Sequence, residues 1–162
     1  MDTATQIKAW YRKILVCTDF SKNAGLAFEL AVNTAMHHRG STLTLLHVLQ
    51  EPDAQFWKNY IYDVENVDGK ARKEIDRRIE EEYLPKVPES LEFNTVFKVG
   101  NPAQMILDYA KEEEFDLIVV GRLGRGSIFF GNVASRIARY AECPVIIVPL
   151  AFADKWSNRT AE

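Results

Sequence analysis

The segment FDLIVVGRLGRGSIFFGNVASRIARYAECPVIIVP, residues 115–149, places glycines where an apolar run gives way to a loop and again before a helical stretch. Leu117–Val120 runs into Gly121 and Gly124, and Gly131-Asn132 opens a helix expected to end near Ala141. Glycine permits sharp bends and, without a Cβ, lets a ligand approach the main chain closely. A helix that follows offers unpaired N–H groups and its positive dipole end to an anion. That chemistry suits a phosphate, so a nucleotide is one reading of these glycines; a tight strand-to-helix turn with no ligand is the other. On the first reading a branched side chain at Gly121 blocks the ligand and spares the sheet. Gly121–Ser127 reads GRLGRGS, without the lysine of GxxxxGK[ST], and Gly124-Arg125-Gly126 is not completed to GxGxxG, so neither stricter phosphate motif is present.

Other reactive side chains are sparse. Cys17 lies in an apolar run and Cys143 just before a proline, and two thiols without clustered histidines make neither a disulfide framework nor a zinc site. His37 and His38 fall at a helix end and His47 near a strand end, positions that suit capping or surface roles. The chain has 162 residues, a formal net charge of −3 and an ordinary apolar fraction, which points to one domain over residues 1–162, with a core at about 11–150 and a loosely held tail at 151–162. No basic excess marks a nucleic-acid surface. The apolar runs are strand-sized, too short to cross a membrane, and the N-terminus MDTATQIKAWYRK lacks the apolar core of a signal peptide, so the expected location is the cytoplasm.

Strand-like runs alternate with helix-period segments, the pattern of a parallel sheet with helices on its faces. KILVCT (Lys13–Thr18) begins it. Ser21 is placed to cap a helix carrying Ala27, Leu30, Ala31, Thr34 and Ala35, closed by Gly40, and TLTLLHVL (Thr42–Leu49) follows as the second strand. Glu51–Val67 mixes Phe56, Trp57, Tyr60 and Tyr62 with polar residues and reads either as a lid or partner surface or as an excursion packed back on the fold. Asp68–Tyr83 is a charged helix with the narrow stripe Ala71, Ile75, Ile79 and Tyr83, stopped by Pro85 and Pro88. Alternation from Leu91 to Val99 marks the third strand, and Asn101-Pro102 with Gln104 forms a capping box for a helix reaching about Glu114. Asp116–Val120 is the fourth strand, Asn132 caps the last helix, with Val133, Ile137, Tyr140 and Ala141 on its stripe, and Pro144–Leu150 is the fifth strand. Right-handed crossings then give an α/β fold with an open doubly wound five-stranded parallel sheet, order 3-2-1-4-5, and helices on both faces. The strand order reverses between strands 1 and 4, bringing Thr18-Asp19-Phe20 beside Gly121 and Gly124, where ligands of such sheets bind.

These residues resemble the universal stress protein family over nearly the whole chain. KILVCTDFS is similar to the family's opening strand with its aspartate, TLTLLHV to its second strand, GNPAQMILDYAKEEEFDLIVVGRLG to its G-x-P helix and glycine loop, and GNVASRIARYAECPVIIVP to its closing segment. ATP-binding members carry G-x2-G-x9-G-[ST]. Gly121, Gly124 and Gly131 are the matching glycines, but only Arg125–Phe130 separates the last two, three residues fewer than the pattern, and Asn132 stands in the serine or threonine position. The resemblance implies that Thr18 and Asp19 line the adenosine end, that Leu43 flanks the adenine and that Val120 and Gly121 meet the base or ribose through backbone. It further implies that Gly124, Gly131, Asn132 and Val133 hold phosphates through N–H groups. Arg122 and Arg125 are this chain's own candidates for phosphate contacts, with plain solvent exposure the alternative; Asp19 reads equally as a helix cap.

The implied function is a cytoplasmic, adenine-nucleotide-binding (ATP, ADP or AMP) regulatory domain of the stress response, with Mg2+ as the companion of ATP and an unidentified protein partner. It also implies a homodimer through the Val145–Val148 strand. The alternatives are a protein-interaction module of the same fold with a degraded nucleotide site and a slow ATP hydrolase. Asp19, at the nucleoside end, is the only acid or base that can be placed in this site, so no catalytic residue is assigned.

Overall fold

In the computed structural model, residues 11–50, 64–122 and 127–161 are described. β1 (Lys13–Thr18) leads into α1 (Lys22–Met36), β2 (Thr42–Gln50), α2 (Val64–Arg78), a π turn (Ile79–Tyr83) and a 3-10 turn (Leu84–Lys86). β3 (Glu92–Gly100), α3 (Pro102–Glu112), β4 (Leu117–Gly121), α4 (Ser127–Tyr140) and β5 (Val145–Val148) complete the sheet, and a 3-10 turn (Leu150–Phe152) leads to α5 (Ala153–Thr160). Every strand pair is parallel and the order is β3-β2-β1-β4-β5, as the pattern of runs predicts.

Strand alternation sorts the interior into two layers. Ile14 and Val16 of β1, Leu43 and Leu45 of β2 and Leu117 and Val119 of β4 pack with α1, Ile75, Ile79 and Tyr83 on one face. Leu15, Leu46, Ile118 and Val120 pack with Ile106, Ala110, Ala134 and Ile137 of α3 and α4 on the other. Being covered on both faces is why β1 and β4 read as unbroken apolar runs. Burying each such aliphatic side chain contributes about 1.5–3 kcal/mol.

The helix starts follow their caps. Ser21 Oγ accepts the Ala24 N–H at 3.1 Å, and Asn101 Oδ1 accepts the Gln104 N–H at 3.1 Å. Only half of the expected capping box forms, because the Gln104 amide turns to Asp108 at 2.8 Å instead. His37 and His38 cap the end of α1, each Nδ1 meeting a carbonyl one turn back, at 2.7 and 2.8 Å. Gly40 turns the chain with φ +82°, a conformation that favours glycine.

Three expectations are corrected. α4 begins at Ser127, so Gly131 and Asn132 lie inside it and Asn132 is not its cap. Tyr140 is 57 % exposed rather than part of the core stripe, whose buried members are Ala134 and Ile137. Residues 151–161 do not form a loose tail: the 3-10 turn and α5 set Phe152, Ala153 and Trp156 against the α1 layer, and the Trp156 indole N–H donates to Glu29 at 3.2 Å. Two turns carry too few apolar residues to reveal a period in the sequence. Glu51–Asp63, most of the aromatic excursion, lies outside the described residues.

Trp156→Ala should therefore destabilise the protein by about 1–3 kcal/mol, as removal of a packed, hydrogen-bonded aromatic does. A denaturation midpoint equal to wild type would show that α5 is not part of the cooperative unit.

Candidate functional site

The carboxyl ends of β1 and β4 diverge at the reversal of strand order, and a crevice opens there on the α3–α4 side. Its apolar wall consists of Cys17, Leu46, Val48, Ile106 and Val120, with Asp19, Ser21 and Gly121 at the β1 and β4 ends and Val133 and Ala134 of α4 opposite. Thr18, Asp19, Val120, Gly121 and Val133, all candidates from the sequence, are thus brought together. The cavity is about 60 Å³, against roughly 300–1,000 Å³ for a pocket that engulfs a ligand. It has room for the edge of a ring, with the remainder of any ligand lying outside. Burial pushes the Cys17 thiol well up, which keeps it a neutral wall residue.

Leu43 does not belong to this group. It is fully buried near the start of β2, opposite Ile14, on the α1 face. Leu46 and Val48, further along β2 and on the opposite face, line the crevice in its place. The clue in the sequence was direction: ligands sit at the carboxyl end of a strand, which favours the end of TLTLLHVL over its second residue.

The turn between β1 and α1 is tied down from several sides. Thr18 Oγ1 accepts the Phe20 N–H at 2.9 Å and lies 2.5 Å from the Tyr83 hydroxyl. The Thr18 carbonyl accepts from His47 Nδ1 at 2.8 Å, which fixes the proton of the neutral imidazole on Nδ1. Asp19 Oδ1 accepts the Ser21 N–H at 2.9 Å, so Asp19 shapes the turn as well as facing the crevice. Phe20 adopts φ +62°, a left-handed conformation that costs about 1–3 kcal/mol for a residue with a side chain. Its ring is held by His47 at 4.9 Å, Tyr83 at 5.9 Å and the Arg78 guanidinium at 4.2 Å. Burial, slightly helped by Arg78, lowers the His47 pKa against the opposing effects of the Thr18 bond and Asp19; burial pushes Tyr83 up to about 12.

Gly121 is a glycine for a reason other than ligand access. A Cβ there would come within 3.0–3.1 Å of the side chain and backbone of Asn23. Asn23 is buried, and its amide donates to the Val148 carbonyl at 2.7 Å. A side chain at Gly121 would therefore press on the start of α1, a contact that the expectation of an undisturbed sheet left out.

On the phosphate side, Gly124 and Arg125 lie outside the described residues. Arg122 is exposed, and its N–H is used by the Val148 carbonyl at 2.9 Å. Gly131, Asn132 and Val133 fall in the second turn of α4. Only the first four N–H groups of an α-helix lack an internal acceptor, so these three backbone donors are committed to the helix, contrary to the expectation from the motif.

With this geometry the chain can be compared with known proteins. Residues 11–149 match the profile of the Universal stress protein family, and the chain belongs to that family. The universal stress protein YxiE of Bacillus subtilis is 30% identical over 147 residues, covering 85% of this chain and 99% of its own. The solved universal stress protein UspA of Lactobacillus plantarum superposes with a TM-score of 0.68 at 30% identity, covering 86% of this chain and 99% of that one. The universal stress protein of Archaeoglobus fulgidus solved in complex with dAMP shares the fold, with a TM-score of 0.52, 24% identity and coverage of 85% and 98%. No helix among the described residues is long and apolar enough to cross a membrane.

Two outcomes test the site. Gly121→Ala should cost about 1–3 kcal/mol of stability, as overpacking does, read as a lower denaturation midpoint; an unchanged midpoint would show that Asn23 yields freely. For His47, a folded-state pKa below the unfolded value of about 6.5 means that its contribution to stability is full above that pH and is lost as pH falls below it. A ring titration followed by NMR should show a midpoint below about 6.5, and a higher one would contradict the burial argument.

Proposed function

We propose that this chain is an adenine-nucleotide-binding universal stress protein that acts as a regulatory or signalling component of the stress response, cytoplasmic and dimeric. The observation that carries the reading is the crevice at the reversal of strand order. Aliphatic walls from β2, β4 and α3 suit the flat faces of a purine, and the Asp19 carboxylate beside them can accept from the exocyclic amine of adenine or a ribose hydroxyl. The family relative crystallised with dAMP supports the choice of an adenine ligand. The small cavity fits a base edge, so the ribose and phosphates would lie outside it.

Among the described residues no group of three or more His, Cys, Asp or Glu is arranged to hold a metal. Mg2+ in this reading would arrive with the phosphates of ATP. Val148, Asn23 and Gly121 would keep the β4 and β5 ends in register beneath the ligand.

A second reading, an interaction module that has lost nucleotide binding, is favoured by two observations. Asn23 fills the space beside Gly121, and the Gly131–Val133 N–H groups lie within α4. Slow ATP hydrolysis remains a third reading, and turnover assays address it.

The dimer would pair β5 edges. The Ile118 N–H bonds to the Pro144 carbonyl and the Arg122 N–H to the Val148 carbonyl. Parallel pairing alternates, so the backbone groups of Val145 and Ile147 point to the open edge.

Mass spectrometry of protein purified without added ligand should find bound adenine nucleotide, and calorimetry with AMP, ADP and ATP should give binding. Absence of both would move the interaction module to first place. Arg125→Ala should weaken ATP more than AMP by about 1.5–3 kcal/mol, less if the side chain is exposed; equal losses would mean that Arg125 does not read the phosphate tail. Ile147→Pro, which removes an outward donor without touching the ladder to β4, should shift sedimentation from dimer to monomer, and wild type sedimenting as a monomer would remove the dimer.

A further inference from the structure

We propose that Tyr83 is a positioning residue for the nucleotide site, and that through it nucleotide binding is coupled to the docking of α2 and its π turn against the sheet. The proposal rests on the nucleotide reading above and adds a means of regulation. Asp19, the carboxylate of the crevice, sits between two residues whose positions are set from the other face of the sheet. Thr18 lies 2.5 Å from the Tyr83 hydroxyl through its Oγ1, the same atom that accepts the Phe20 N–H at 2.9 Å. Phe20, at φ +62°, is packed by Tyr83 and by Arg78, which covers its ring at 4.2 Å. Both supporting side chains come from the α2 segment.

The π turn places the hydroxyl. Ile75, Ile79 and Tyr83 are buried together, at intervals of four residues. In a straight α-helix Tyr83 would lie about 80° round from Ile75. The wider Ile79–Tyr83 turn cancels part of that drift, and the Leu84 N–H closes it onto the Ile79 carbonyl. Such turns recur at functional sites because they redirect one side chain without ending the helix. Here the redirected side chain reaches the last residue of β1. If α2 undocks, Phe20 loses the packing that holds its left-handed backbone, and Asp19 turns with it. Coupling is reciprocal, so a ligand that favours the present Asp19 geometry must also favour a docked α2.

The test uses full-length protein with AMP as probe. Tyr83→Phe deletes only the hydroxyl and keeps the ring, which packs edge-on to Phe28 at 4.6 Å. AMP affinity should fall about five- to tenfold. In wild type, saturating AMP should slow amide exchange at residues 75–83; in Tyr83→Phe at saturation the slowing should be lost. Thr18→Val combined with Tyr83→Phe should be no weaker than the worse single variant, because both remove the same bond. Should Tyr83→Phe fail to fold, Arg78→Gln should show the same loss of affinity and protection in smaller measure. A Tyr83→Phe protein that melts lower but binds AMP like wild type would make Tyr83 structural only and overturn the proposal. If wild type itself binds no adenine nucleotide, the nucleotide reading falls and this proposal falls with it; if wild type binds and Tyr83→Phe binds equally well, this proposal alone falls.

Discussion

Asn23 is among the few buried polar side chains, at 3% exposure, and its amide reaches 2.7 Å to the carbonyl of Val148, 125 residues away in sequence. An amide buried without a partner costs on the order of 1–3 kcal/mol, so α1, β4 and β5 are locked into one arrangement. β5 has four residues and a single neighbour in the sheet. Its end is held by two donors to one carbonyl, the Asn23 amide and the Arg122 N–H. The same side chain packs on Gly121 and sets how closely the start of α1 approaches the end of β4. The start of α1, whose Ser21 and Ala24 border the crevice at the strand reversal, is held in place by this contact. A nucleotide site in this chain has to be built around an asparagine that already fills one side of its glycine.

Strand alternation then divides the work between the faces. Along β1 and β2, Cys17, Leu46 and Val48 face the crevice, while Thr18, which also borders it, directs its hydroxyl to Tyr83 and His47 packs on Phe20 in the aromatic cluster that includes Phe28. Adjacent residues on one strand thus belong to separate environments joined by a single peptide bond. Close packing makes such a junction stiff, since core side chains have no voids in which to absorb a shift. The charged outer face of α2 contributes little to this: the Arg77–Glu74 and Arg77–Glu81 pairs at 2.6 Å are exposed and screened by solvent.

The fold was legible wherever burial is two-sided. KILVCT and LIVV read as central strands of a covered sheet and are so, and Ser21 and Asn101 announce helices through chemistry that the structure bears out. The site was less legible because its residues depend on which end and which face of a strand they occupy. TLTLLHVL offers five aliphatic residues, and only strand direction and face separate Leu43 from Leu46 and Val48. Tyr140 carries the right period for the core but lies at the last position of α4, where the helix runs past the sheet into solvent. Tyr83 appeared as one more member of a narrow stripe, since nothing in a heptad of glutamates and arginines signals a π turn. Asn23 gave no signal at all, because its partner is a backbone carbonyl at the far end of the chain.

The length of chain after β4 constrains the phosphate end more than residue identity does. β4 ends at Gly121 and α4 begins at Ser127, leaving Arg122–Gly126 between them. A pattern with nine residues between its second and third glycines can wrap a phosphate tail in loop backbone before the helix starts. Here six residues separate Gly124 from Gly131, and helix already occupies four of them, Ser127–Phe130. A residue inside a helix donates its N–H to the carbonyl four positions back, so extending α4 toward the strand removes donors from the loop one for one. What remains for an anion is the short Arg122–Gly126 connection with its two arginines and the first turn of α4. Side-chain guanidinium groups can replace backbone donors in number, but on flexible stems they fix the tail less tightly than a glycine-rich loop does. In the nucleotide reading proposed above, discrimination by the number of phosphates would come from charge rather than from the backbone donors that α4 has taken up.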